Sequence, residues 1–173
     1  MHPTSVRILL TLVLLAVIVA GAVYAYVTLG YAPVATASAP LPMETWLAHT
    51  ALKAAIHRGA PTSTPPVEAN EPAIVAGARI YREQCAVCHG LPSQQESHIA
   101  KGMFPHPPQL FKGHGVTDDP VGETYWIVEN GVRLTGMPGF KNLLTEDQIW
   151  QVAQMLAHAD KLPPAATLEL QRP

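Results

Sequence analysis

"REQCAVCHGLPS", residues 82–93, contains both cysteines of this 173-residue chain, two residues apart, with a histidine directly after the second. On helical geometry Cys85, Cys88 and His89 stand at i, i+3 and i+4, which are neighbours on one face. Three side chains therefore point at one object. The stretch before them supports that geometry: in "NEPAIVAGARIYREQ" (70–84), Ile74, Gly77, Ala78 and Tyr81 recur at helical spacing. Asn70 suits the N-cap, and Glu71 and Pro72 suit the first turn.

The pattern C-x-x-C-H is the attachment signal for a c-type haem, in which two thiols form thioethers with the porphyrin and the imidazole ligates the iron. Three other chemistries compete for these residues. A zinc site needs four ligands, commonly from a second Cys or His pair at short spacing, and none accompanies this one. A thioredoxin-like pair follows a strand in an α/β pattern that the sequence lacks. A structural disulfide leaves His89 without a reason. One covalently attached haem c, with His89 as an iron ligand, is the expectation.

Downstream, residues 91–117 are broken by Pro92, Pro105, Pro107, Pro108, Gly102, Gly113 and Gly115, which predicts a loop around something. "VGETYWIVENG" (121–131) predicts a short helix closed by Gly131, and Thr145 with Gln148 forms a capping box opening a last helix to about Asp160. Ile149, Val152, Ala153 and Leu156 are its apolar stripe. Pro163 and Pro164 end it, leaving 163–173 as a tail. The second iron ligand is expected to be Met137. It stands in "TGMPGF" between a glycine that permits close approach and a proline that fixes the turn. Met103, in the Pro-rich loop, is the competitor, while His98, His106 and His114 fit the surface or the propionate side better.

Upstream, Ile8 to Leu29 is 22 residues without a charge, against about 20 needed to cross a bilayer's hydrocarbon. A signal peptide, the competing reading, has a shorter apolar run of about 7 to 15 residues. Residues 1–30 are therefore expected to be a single-pass anchor in the inner (cytoplasmic) membrane, contacting lipid through residues 8–29. Tyr24, Tyr26 and Tyr31 would lie at the interface, and Arg7 with the amino terminus marks the cytoplasmic side. The haem domain then lies on the periplasmic or extracytoplasmic side. Residues 31–69, rich in Pro, Ala, Ser and Thr, predict a flexible linker interrupted by a short amphipathic helix over 43–58.

Together Gly77-Ala78, Ile80-Tyr81, Cys85-Ala86-Val87-Cys88-His89-Gly90, Trp126, Asn130-Gly131, Arg133 and Thr135-Gly136-Met137-Pro138 resemble a class I monohaem c-type cytochrome over about 70–162. The resemblance implies an all-α fold in which the first and last domain helices cross beside the haem. It implies that Gly77 and Tyr81 meet the stripe of Ile149, Val152 and Ala153. It also implies that Pro92 and "FPHPPQL" (104–110) wall the haem edge. Membrane-tethered relatives serve respiratory chains, so the expected role is single-electron transfer between membrane-bound redox complexes acting as donor and acceptor. A dedicated subunit of a larger dehydrogenase or reductase is the alternative. No acid/base constellation marks an enzyme or a small-molecule substrate. Ten acidic against seven basic side chains over 70–162, without a basic stripe, speak against nucleic acid.

Overall fold

The computed structural model describes residues 3–172, so the amino terminus, read as cytoplasmic, lies outside them. The described residues form two compact units that divide after Pro42. In the first, helix α1 (Pro3–Thr28) has 26 residues, about 39 Å at 1.5 Å per residue. That exceeds the roughly 30 Å of hydrocarbon in a bilayer, so α1 is long and apolar enough to cross a membrane. The Thr11 and Thr28 hydroxyls donate to the carbonyls of Arg7 (3.0 Å) and Tyr24 (2.8 Å). Their polarity is thereby satisfied inside the helix, as a hydrocarbon environment requires.

The second unit is built from α2 (Glu44–Gly59), α3 (Glu71–Gln84), α4 (Ala86–His89), α5 (His98–Lys101), α6 (Val121–Asn130), α7 (Glu146–Ala157) and α8 (Pro164–Gln171). Among the described residues there is no strand, and the fold is all-α. Caps set the ends of the main helices: Asn70 accepts from the Ala73 amide at 3.0 Å, and Thr145 and Gln148 form the reciprocal capping box.

Helix α3 lies across α7 with Gly77 at the crossing. A Cβ there would collide with the Gln151 carbonyl oxygen and come within 2.9 Å of Met155 Cβ. The atoms nearest Gly77 thus belong to Gln151 and Met155, while Tyr81 shares one core with the stripe of Ile149, Val152 and Ala153. Helix α6 packs on α7 through Tyr125 and Trp150, stacked with ring centroids 4.1 Å apart. Tyr81, Ile149, Val152 and Met155 are buried between these elements.

Two segments differ from their sequence reading. The tail after Leu162 is helical and packs on α3, with Ala166 and Leu170 buried. Pro164 occupies the first turn, where a missing amide leaves no helical hydrogen bond unmade, so the double proline starts a helix as well as stopping one. Glu169, also buried, meets Arg79, Arg82 and Arg172 at 3.4, 3.5 and 2.9 Å.

The second difference is larger. Residues 43–69, read as part of a flexible linker, lie in the second compact unit. Helix α2 buries Ile56 and packs on α6, where a Cβ on Gly59 would collide with the Trp126 indole. The chain then passes so close over α6 that a Cβ on Gly122 would strike the Pro61 carbonyl. Further on, the buried Gln154 amide donates to the Val67 carbonyl at 2.9 Å. Composition predicts a spacer, but two side-chain-free glycines and one buried amide fasten it down.

Candidate haem site

The end of α3 breaks at Cys85, whose backbone still donates to the Tyr81 carbonyl (2.8 Å) while its own carbonyl accepts from Cys88 (3.1 Å) and His89 (3.0 Å). These bonds bring the two thiols and the imidazole onto one turn, α4. Three further contacts fix that turn. The Tyr81 hydroxyl donates to the Gly90 carbonyl at 2.7 Å, the Gln109 amide to the Cys88 carbonyl at 3.0 Å, and the Leu110 amide to the His89 carbonyl at 3.3 Å. Tyr81 is itself held edge-on against Phe111, centroids 5.3 Å apart.

On the opposite side, residues 131–140 form a tight loop. Gly131 has φ +67, and a Cβ there would lie 2.8 Å from the Met137 carbonyl and 2.5 Å from Pro138 C, so only glycine fits. The Thr135 hydroxyl accepts from the Met137 amide (3.1 Å) and donates to the Val132 carbonyl (2.7 Å). The Phe140 amide closes the loop on the Val128 carbonyl at 3.0 Å. The methionine is thus presented by a backbone tied at both ends.

Between turn and loop is a cavity of about 440 Å³, within the range of small-molecule and cofactor sites. Cys85, Cys88, His89 and Met137 all line it, as do Met103 and the Pro105–Pro108 run. Most of the remaining wall is apolar: Leu110, Val128, Val132, Phe140, Val152 and Leu156. Pro92, expected at the haem edge, is not among its lining residues. Met103 touches the Met137 loop directly, its Cε filling the place a Cβ on Gly136 would take. Both methionines that the sequence nominates therefore reach the same cavity.

The donors suit a haem. His89 Nδ1 lies 2.8 Å from the Pro108 carbonyl, which can only accept, so Nδ1 carries the proton and Nε2 keeps its lone pair. Burial lowers the His89 pKa and so favours the neutral ring that a metal ligand must be, an effect opposed by the hydrogen bond to Pro108. Both cysteines are free thiols. Burial first, and then the neighbouring Cys88, push the Cys85 thiol up to about 12. An apolar slot with two thiols, a directed imidazole base and thioether sulfur matches the donor set of a covalently held porphyrin.

Sequence reasoning missed several residues of this site. Pro108 and Gln109 are expected only as part of the 104–110 wall, whereas they also hold the cysteine turn, Pro108 through His89 and Gln109 through the Cys88 carbonyl. His49 and Leu52, on α2, line the cavity as well. No local signal could have found them, since they reach it through the packing of α2 on α6.

Comparison with known proteins bears on residues 72–156, which match the family model described as "Cytochrome C oxidase, cbb3-type, subunit III". A chain of the Kuenenia stuttgartiensis reducing HAO-like protein complex is similar in structure, with 23% identity and a TM-score of 0.48. The match covers 57% of this chain and 50% of that one, so this chain spans half the length of that neighbour. No curated protein matches.

Proposed function

Given that the chain carries a class I c-type cytochrome domain over residues 72–156, we propose that it transfers single electrons through one covalently attached haem ligated by His89 and Met137. The observation that carries this reading is the convergence of Cys85, Cys88, His89 and Met137 on one apolar cavity. The bound haem would supply a one-electron iron couple, and thioether ligation raises its potential relative to two imidazoles.

The chain's own residues do the rest. Cys85 and Cys88 would hold the porphyrin on the helix turn, and the Pro108 carbonyl accepts the Nδ1 hydrogen bond of His89, so that Nε2 is the nitrogen left to ligate. Gly131 and Thr135 set the height of the Met137 sulfur. Val128, Val132, Phe140, Val152 and Leu156 exclude water. If His89 and Met137 both hold the iron, no position on it would remain for a substrate. The role is therefore electron carriage in a respiratory chain at the extracytoplasmic face of the membrane, with α1 as anchor.

A second reading, a fixed subunit of a larger oxidoreductase, is supported by the shortness of the free segment. Once residues 43–69 are counted with the domain, only about 12 residues (31–42) remain as tether. A flexible chain of that length has a mean reach of about 20 Å, little room for shuttling between distant partners.

The test is a visible spectrum of ferric and ferrous protein purified in mild detergent, with a redox titration. One haem per chain, resistance to acid-acetone extraction and no carbon monoxide adduct of the ferrous form are expected. Extractable pigment or ready carbon monoxide binding overturns the reading. A stoichiometric partner on purification selects the subunit.

A further inference from the structure

We propose that helix α2 is part of the haem site, with Leu52 and His49 forming a wall against the porphyrin that residues 72–156 do not provide. The inference rests on the haem reading above, and deepens it.

The sequence places 43–58 in a linker, and the family match begins only at residue 72. In the structure the helix lies in the compact unit and packs on α6, and both Leu52 and His49 line the cavity. They line it beside Thr124, Ile127 and Val128 of α6.

The helix is held there by contacts independent of the cavity. Ile56 is buried, one turn along from Leu52 on the same face. Gly59 and Gly122 lack the side chains that would push the segment away from Trp126 and Pro61, and the Val67 carbonyl is tied to Gln154. Leu52 itself is half-buried, while His49, like Leu47 and Lys53, is exposed. One face of α2 is committed to the domain, and that face includes a leucine at the cavity.

A porphyrin flank left open to water is costly in a specific way. Ferric haem carries one more positive charge than ferrous haem, so water at the edge stabilises the oxidised form and lowers the potential. A leucine over that flank does the reverse. The segment joining anchor to cytochrome thus takes part in setting how readily the iron is reduced.

The test uses full-length protein in detergent. In the ferrous wild type, the Leu52 methyls and the His49 ring protons should be displaced by the porphyrin ring current, whereas the Leu47 methyls should resonate in the ordinary range. Leu52→Ala should lower the equilibrium constant for reduction about threefold or more, roughly 30 mV at 59 mV per tenfold for one electron. Lys53→Ala should titrate as wild type.

Undisplaced Leu52 resonances overturn the proposal, as does a Leu52→Ala protein with unchanged potential or a Lys53→Ala protein shifted equally. The nuclear resonance measurement needs no variant to fold. A wild-type protein without covalent haem would instead defeat the underlying reading, so the two failures are distinguishable.

Discussion

At the scale of single residues, the site depends on which sulfur meets the iron. Met137 sits on a backbone anchored by Thr135, Val132 and Phe140, whereas Met103 follows the four-residue helix α5 and meets that loop through the end of its side chain. A ligand must be held rigidly to keep one geometry through oxidation and reduction, and the tied loop provides that. Met137→Ala should abolish the spectral signature of methionine ligation and lower the potential, while Met103→Ala should keep the signature; visible and near-infrared spectra of the ferric variants distinguish them. The cysteines carry a second prediction. Left without the porphyrin, a cavity of about 440 Å³ that is open to solvent and walled mostly by apolar side chains would admit water to the centre of the domain, where apolar burial supplies the stability. The Cys85→Ser, Cys88→Ser protein should therefore lose covalent pigment and cooperative unfolding together, as circular dichroism during a urea titration would reveal. At this scale the sequence was most legible, because spacing along one turn fixes which side chains share a face.

At the scale of elements, the helix crossings decide stability. Gly77→Val would force a side chain into the Gln151 carbonyl, and overpacking of this kind costs typically about 1–3 kcal/mol, read as a lower denaturation midpoint of the haem-loaded protein with its ligation spectrum retained. Helix α8 offers the sharper contrast. Were 163–173 a loose tail, Leu170→Ala would be silent; with Leu170 1% exposed against α3, it should cost about 2–5 kcal/mol by the same measurement. The caps and the periodic helices α3, α6 and α7 were legible because each is specified within its own dozen residues. Helix α8 was not, because Pro163 and Pro164 signal a helix end and a helix start equally, and only the apolar face offered by α3 decides which follows.

At the scale of the whole chain, what matters is how much of it is tether. About 40 residues of linker would let a haem range widely, but fastening 43–69 leaves about 12. A protein lacking residues 1–30 should therefore sustain much less electron flux than the anchored one at equal bulk concentration, because confinement within about 20 Å raises the effective concentration beside a membrane partner. Oxygen consumption by reconstituted membranes measures this, and equal flux would mean that anchoring serves another purpose. By itself the sequence determined that Cys85, Cys88 and His89 share one turn, the competing methionines, the apolar span of α1 and the all-α domain, since each is written in local spacing or in the length of an apolar run. Only the tertiary structure decided that α2 and α8 belong to the domain and that His49 and Leu52 reach the cavity. Contacts such as Gly59 with Trp126 or Gln154 with Val67 join residues far apart in sequence, and no local pattern encodes such a pairing.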